Sequence, residues 1–212
     1  MVVIPKTSYC IKDCVFRNCA SVIVTCKLRV DFYHSSLITK YKALYRLDKM
    51  DTAKTMVPPL PTGYTLVDTC APVDDFYRLR RAAAVIQVNK GQIKTSIEHT
   101  WFGCHITYTD PSKPGEDPTI VAMGRTFGGG WYQHVADMVV LPEHQRRGLG
   151  DIIFKRILKE IEDRSPPGPT LITLMADPPA QKLYARNGFA DTPAALGMRR
   201  IIEVPQRESN RE

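Results

Sequence analysis

The chain has 212 residues, of which 43% are hydrophobic and 24% are charged, a composition typical of a globular protein of one domain, or one domain with an appendage. No apolar run approaches the ~20 residues that a membrane-spanning helix needs, so we expect no membrane partner. The formal net charge is +7, but residues 1–49 hold nine Lys and Arg against three Asp and Glu. Residues 50–212 are therefore nearly neutral, and we expect no nucleic-acid partner.

Residues 1–55 differ from the rest because their apolar residues follow no sustained helical or strand period. We predict an N-terminal extension that is disordered or non-native, followed by one domain over residues 56–212. A metal-binding or targeting arm is the alternative, although the cysteine spacing matches no zinc signature and no convincing signal peptide precedes it. A reduced, cytoplasmic setting is the default. The cysteines concerned are Cys10, Cys14, Cys19 and Cys26.

The sequence of the first part of the domain predicts alternating strands and helices. A helix is expected to begin at Pro72, with an Asp suited to capping it and acidic residues in its first turn. The elements are a strand at 64–68, a helix from 72 with apolar spacing that reaches Ile86, a helix at 92–99, and strands at 101–108 and 119–127, the last broken by glycines at 128–130.

The second part continues the α/β order. Residues 151–163 form an amphipathic pattern with isoleucines and a leucine on one side and charges on the other. The other elements are strands at 131–141, 171–175 and 198–204, and a helix at 179–187 ended by Gly188. Together the elements predict an α/β fold with a mixed, twisted sheet of about six to seven strands and helices on both faces.

The segment Gln145-Arg146-Arg147-Gly148-Leu149-Gly150 lies between the long strand and the amphipathic helix. Its backbone N–H groups would converge at the positive end of the helix, which is a ready site for an anion. Gly148 and Gly150 allow a phosphate to approach the backbone closely, and the two arginines add forked donors. The ligand implied is a pyrophosphate. The nucleotide P-loop and the dinucleotide fingerprint are excluded, because the Lys-Ser/Thr pair and the third glycine are missing.

Residues 139–150, Val-Val-Leu-Pro-Glu-His-Gln-Arg-Arg-Gly-Leu-Gly, resemble motif A of the GNAT superfamily of N-acetyltransferases. A second block, residues 180–189, resembles the family's A-x-x-L-Y-x-x-x-G-F helix. The resemblance covers about residues 64–204 and implies a GNAT-like fold, acetyl-CoA as co-substrate and no metal. It implies acetyl transfer to a primary amine by direct attack in a ternary complex, and we expect a small-molecule acceptor. A protein or peptide acetyltransferase and a non-catalytic acyl-CoA-binding module are the alternatives. Many members pair, so a homodimer is one of the oligomeric states left open.

The same resemblance implies which residues hold the cofactor. The strand before the loop would pair with the pantetheine arm through its backbone, and the loop would hold the pyrophosphate. Asp177 stands where many members carry Asn, so it either accepts a hydrogen bond from the cofactor or only caps a helix. The full set is Met138, Val139, Val140, Gln145, Arg146, Arg147, Gly148, Leu149, Gly150, Asp151, Asp177, Ala180, Tyr184 and Arg186.

Three residues are candidates for catalysis. The resemblance implies that Tyr184 protonates the leaving sulfur, and its ordinary pKa of ~10 keeps it protonated. Asp137 is a carboxylate within an apolar strand, where it either serves the nucleophile or pairs structurally with an arginine or a backbone group. His134 titrates in the range for proton transfer, but strand alternation puts it on the opposite face from Asp137 unless a bulge intervenes.

The sequence says least about the pocket that would bind the acceptor amine. Aromatic residues are candidate walls, although most aromatics at such spacing are ordinary core. Arg80 and Arg81 either hold an acidic substrate or are solvated. The aromatic candidates are Phe76, Trp101, Trp131 and Tyr132.

Overall fold

The computed structural model describes residues 55–83, 86, 88–113, 115–191, 197, 200 and 201. All the elements below belong to the unit Asp51–Asp191. The predicted extension and the predicted last strand at 198–204 fall outside the described residues, almost wholly in the second case. No helix in the described part is both long and apolar enough to cross a membrane.

A single mixed sheet organises this unit. Its strands are β1 (Tyr64–Val67), β2 (Phe102–Tyr108), β3 (Thr119–Gly129), β4 (Tyr132–Val140) and β5 (Leu171–Leu174), and they lie in chain order across the sheet. Neighbours are antiparallel except β4 and β5, which are parallel. The mixed α/β class is confirmed. The described residues contain five strands, whereas six to seven were predicted.

Four helices accompany the sheet in the described residues: α1 (Val73–Ala82), α2 (Lys90–Glu98), α3 (Leu149–Arg164) and α4 (Gln181–Arg186). Two short 3-10 turns, Pro142–His144 and Pro178–Ala180, precede α3 and α4. Adjacent residues of β3 show that helices cover both faces. A Cβ on Gly124 would meet Ile153 of α3 at 2.7 Å, whereas the Arg125 guanidinium lies 5.9 Å from the centre of the Phe76 ring of α1.

The amphipathic pattern of α3 explains its place in the core. Its apolar side is buried against β2, β3 and β4, while Lys159 and Glu160 remain partly accessible and form ion pairs along the helix. Each buried Ile or Leu contributes roughly 1.5–3 kcal/mol relative to an exposed one. The buried side chains are Leu149, Ile152, Ile153, Phe154, Ile157, Leu158 and Ile161.

The helix boundaries correct several predictions. Pro72, not an Asp, occupies the N-cap of α1, and Asp74 and Asp75 lie in the first turn, where the helix dipole favours them. Helix α1 ends at Ala82, so Ile86 is not part of it and is exposed. Helix α2 begins earlier than predicted because Asn89 and Gln92 form a capping box.

The glycines at 128–130 do not end β3 as predicted. The strand runs to Gly129, and Gly128 pairs with Gln133 of β4. A side chain at 128 would collide with the Tyr132 carbonyl oxygen, and the backbone there has φ +145°. Glycine is therefore required by the hairpin that continues the sheet into β4, rather than by a chain break.

Candidate functional site

Strand β4 parts from β5 halfway along its length. The parallel pairing begins at Tyr132–Leu171 and ends at Val135–Leu174, yet β4 continues to Val140. Among the described residues, the edge of β4 that faces β5 is therefore unpaired over residues 136–140. This edge includes Met138 and Val140, whose backbone groups were predicted to pair with a cofactor arm. The Val140 carbonyl accepts from Gln145 Nε2 at 3.0 Å, so one acceptor of this edge is already engaged.

A bulge in β4 lies where the two strands separate. Arg125 pairs with Ala136 and Met123 pairs with Val139, so Gly124 stands opposite two residues, Asp137 and Met138. Asp137 has φ +54°, a left-handed conformation that is costly for residues other than Gly. The predicted alternation is broken by this extra residue.

The bulge directs the Asp137 side chain between two arginines. Arg125 donates through Nε to Asp137 Oδ2 at 2.6 Å, and Arg80 of α1 donates through Nη1 to Asp137 Oδ1. The three side chains are only 7%, 12% and 16% exposed for Asp137, Arg125 and Arg80. Both carboxylate oxygens of Asp137 are therefore engaged by guanidinium groups of the protein itself. We name Arg80, Asp137 and Arg125 the arginine–aspartate cluster.

His134 lies beside the same cluster. Its ring contacts Phe127, with centroids 5.1 Å apart, and Phe127 is also under the Arg125 guanidinium. Burial and the positive charge of Arg125 lower the His134 pKa below its ordinary value, and the charge of Asp137 opposes this shift. The imidazole is therefore neutral at neutral pH and able to accept a proton.

A hydrogen-bond chain fixes the orientation of His134. Thr173 Oγ1 lies 2.9 Å from His134 Nδ1, 2.9 Å from the Tyr132 hydroxyl and 3.5 Å from the Gln133 carbonyl. The Thr173 hydroxyl has a single proton, so whether it donates to His134 Nδ1 or accepts from it depends on the imidazole tautomer.

Tyr184 of α4 lies on the other side of the gap between β4 and β5. Its ring packs against Phe154 and Phe189, at centroid distances of 5.1 and 6.4 Å, and it is 6% exposed. Its hydroxyl bonds to no other described residue. Burial and the nearby Asp177 carboxylate raise the pKa of Tyr184 above its ordinary value, so it stays protonated and can donate.

A cleft of about 150 Å³ lies between Asp137 and Tyr184, and His134 is not among its lining residues. We name it the strand cleft, because it lies where β4 has parted from β5. Its walls include Arg80, Asp137, Met138, Met175, Asp177 and Tyr184. Asp177 and Ala180 are thus placed with the predicted catalytic Tyr184. The Asp177 side chain caps no backbone N–H of the 3-10 turn that follows it.

The loop from Gln145 to Gly150 has the predicted anion-binding geometry. Among the described residues, the N–H groups of 146–150 donate to no acceptor, because the first bonds of α3 are those from Asp151 and Ile152 to the Gly148 carbonyl. Gly148 is the N-cap with φ +82°, and Arg146 has φ +62°. Five unpaired donors at one helix end form a strong site for a negative charge.

The side chains of this loop differ in what they can reach. Arg146, Arg147 and Gln145 are exposed, whereas the Leu149 side chain is 1% exposed in the core, so only its backbone can bind a ligand. Asp151, in the first turn of α3, forms ion pairs with Lys155 at 2.9 Å and Arg186 at 3.1 Å. These partners lower the pKa of Asp151 against the effect of burial, and they offset its negative charge beside the anion site.

The predicted aromatic walls are scattered. Phe76 is buried beneath Arg125 and borders a second cleft described below. Trp101 packs under the Arg164 guanidinium at 4.3 Å, at the C-terminal end of α3. Trp131 and Tyr132, 68% and 38% exposed, lie at the start of β4. The strand cleft is not lined by any of these four residues.

Two contributors were not singled out from the sequence. Arg125 is a charge that follows the apolar run 120–123 within β3, where it is as unusual as Asp137 is in β4, and pairing the two anomalies would have found it. Thr173 carried no such signal, because a threonine is ordinary in a strand.

The sequence profile of a family described as "Acetyltransferase (GNAT) domain" matches residues 115–191. No curated protein gives a significant match. Among solved structures, a protein of unknown function from meticillin-resistant Staphylococcus aureus, described as a probable acetyltransferase, is 24% identical with a TM-score of 0.57. A GNAT family acetyltransferase from Streptococcus pneumoniae is 20% identical with a TM-score of 0.52. Each alignment covers 66% of this chain and 99% of the other, and the likeness establishes a shared fold.

Proposed function

We propose that this chain is a GNAT acetyltransferase, in keeping with the profile match over residues 115–191, and that it transfers an acetyl group from acetyl-CoA to the primary amine of a small molecule, by direct attack within a ternary complex. One observation supports this proposal most strongly. The unpaired N–H groups of residues 146–150 lie at the mouth of α3, directly after an unpaired edge of β4. A pyrophosphate followed by an amide-containing arm matches this order of donors and edge.

The residues present fit acetyl-CoA, which would supply the acetyl group as a thioester. The loop N–H groups, with Arg146 and Arg147, would hold the pyrophosphate, and the β4 edge from Met138 to Val140 would align the arm. Asp177 and Ala180 would border the arm in the strand cleft. Arg186 would act mainly by neutralising Asp151, and Gln145 by fixing the end of β4. Alignment of two reactants supplies a large part of the rate gain in such a transfer.

We assign the proton transfers to two residues. His134, neutral at neutral pH but outside the lining of the strand cleft, would take the proton of the attacking amine through water. Tyr184, kept protonated by burial and by Asp177, would donate to the leaving sulfur. Asp137 would hold the bulge and orient the amine rather than act as the base, because two guanidinium groups already engage it.

The test is release of free thiol from acetyl-CoA across a panel of small amines and peptides. Tyr184→Phe removes only the hydroxyl, and we expect kcat to fall about 100-fold with the KM for acetyl-CoA unchanged, because the acid acts after binding. Tyr77→Phe, a half-buried tyrosine of α1 outside the strand cleft, is the matched control. Binding of acetyl-CoA without turnover of any amine would instead favour a non-catalytic acyl-CoA-binding module, and turnover of peptides alone would favour a protein acetyltransferase.

A further inference from the structure

A second cleft lies on the other side of the arginine–aspartate cluster. It has a volume of about 110 Å³ and lies between α1, α2 and the sheet, so we name it the helix cleft. Its walls include Phe76, Arg80, Gln92, Ser96, Arg125 and Asp137. A cavity of about 150 Å³ admits benzene, so this one suits a smaller group. Arg80 and Asp137 line both clefts.

The two clefts carry opposite charge in their described walls. The helix cleft has two guanidinium groups, Arg80 and Arg125, facing the single carboxylate of Asp137. The strand cleft has two carboxylates, Asp137 and Asp177, facing the single guanidinium of Arg80. One side of the cluster is therefore net positive and the other net negative. A ligand that spans the cluster gains most if its own ends carry the complementary charges.

Hydrogen-bond donors in the helix cleft add to this preference. Arg80 Nε is shielded from solvent and has no acceptor among the described residues. The Gln92 side chain is exposed and accepts from the Asn89 backbone N–H through Oε1, so its NH₂ group is open to solvent, and the half-buried Ser96 hydroxyl donates to no described residue. A shielded guanidinium N–H without a partner favours a ligand that brings an acceptor. Oxyanions of carboxylates and phosphates are such acceptors.

We propose that the helix cleft is an acceptor subsite for an anionic group, so that the preferred substrate is a small amine that also carries a carboxylate or a phosphate. The amine lies in the acidic strand cleft beside Asp137, and the anionic group lies against Arg80 and Arg125. This inference rests on the proposed acetyl transfer and names the chemical class of its acceptor.

The test compares amines that differ only in the anionic group. β-Alanine is paired with propylamine, and O-phosphoethanolamine with ethanolamine, and kcat/KM is measured by thiol release. We expect at least one anionic member to exceed its neutral partner at least tenfold, and the better pair identifies carboxylate or phosphate. The ratio within a pair cancels any general loss of catalytic power in a variant.

Gln92→Glu adds one negative charge to the cleft wall while keeping the capping box, since Glu serves at this position as well as Gln. We expect the anionic preference to fall at least tenfold in this variant. Thr95→Glu places the same charge on an exposed position of α2 outside both clefts and should leave the ratio within twofold. Arg80→Gln should also lower the ratio.

The outcomes separate the inference from the proposed function. Turnover of neutral amines or polyamines with no gain from the anionic group overturns the inference alone. Equal effects of Gln92→Glu and Thr95→Glu overturn it as well, because the cleft would then play no part. If no amine of any charge releases thiol, the proposed function fails and the inference fails with it.

Discussion

Two regions next to strand β4 present charge in different ways. In the loop that follows β4 and leads into α3, residues 146–150 have backbone N–H groups that donate to no described acceptor. In the middle of β4, the arginine–aspartate cluster offers side chains that are largely buried and paired with one another. The backbone site depends on one local turn, whereas the cluster is assembled from α1, β3 and β4. We propose that the first binds the phosphates of the cofactor and that the second selects the acceptor.

Removing the central carboxylate should give the largest effect. Asp137→Ala leaves two mostly buried guanidinium groups facing each other, and we expect a loss of about 3 kcal/mol in the free energy of unfolding. Urea denaturation followed by circular dichroism measures it. Asp74→Ala is the control, because Asp74 and Lys90 are 79% and 60% exposed and such pairs contribute less than about 1 kcal/mol. Equal losses in the two variants would show that the cluster does not stabilise the fold.

A substitution in the loop before α3 should cost less stability than Asp137→Ala. It should weaken the binding of CoA more. Gly148 has φ +82°, so Gly148→Val costs about 1–2 kcal/mol of conformational strain and should weaken CoA binding about tenfold. Gly168→Val is the matched control, since Gly168 also has a positive φ, +131°, with open space around it, but lies after α3 and outside the binding loop. Calorimetry that finds both variants binding CoA as tightly as the unmodified protein would refute the role of the turn.

The smallest effect concerns pH. The His134 pKa is lowered from 6.5, so the neutral base persists from high pH down through 6.5 and is lost only below it. With a weakly basic amine, whose own ionisation does not interfere, kcat should therefore stay level near pH 7 and fall only below 6.5. His134→Gln should be slow and lack this acid limb. An acid limb centred above pH 6.5 in the unmodified protein would count against the assignment.

The sequence predicted what is local and missed what is distant. The turn and the helix that follows it were found because glycines, arginines and an amphipathic period are contiguous. Asp137 was found as an anomaly within an apolar strand, but its bulge depends on Gly124 of β3, and its partners come from residues 80 and 125. The opposite charges of the two clefts depend on how α1 and α2 pack on the sheet, and no spacing in the chain reports that.

The central claim is that backbone amides at the mouth of α3 bind the phosphates of CoA. Amide chemical shifts of ¹⁵N-labelled protein, titrated in parallel with CoA and with pantetheine, test it most directly. We expect CoA to shift the amides of residues 146–150 strongly, and pantetheine, which lacks the pyrophosphate, to leave them unchanged while shifting those of Met138–Val140. If CoA leaves residues 146–150 unchanged, or if pantetheine shifts them equally, the account is contradicted.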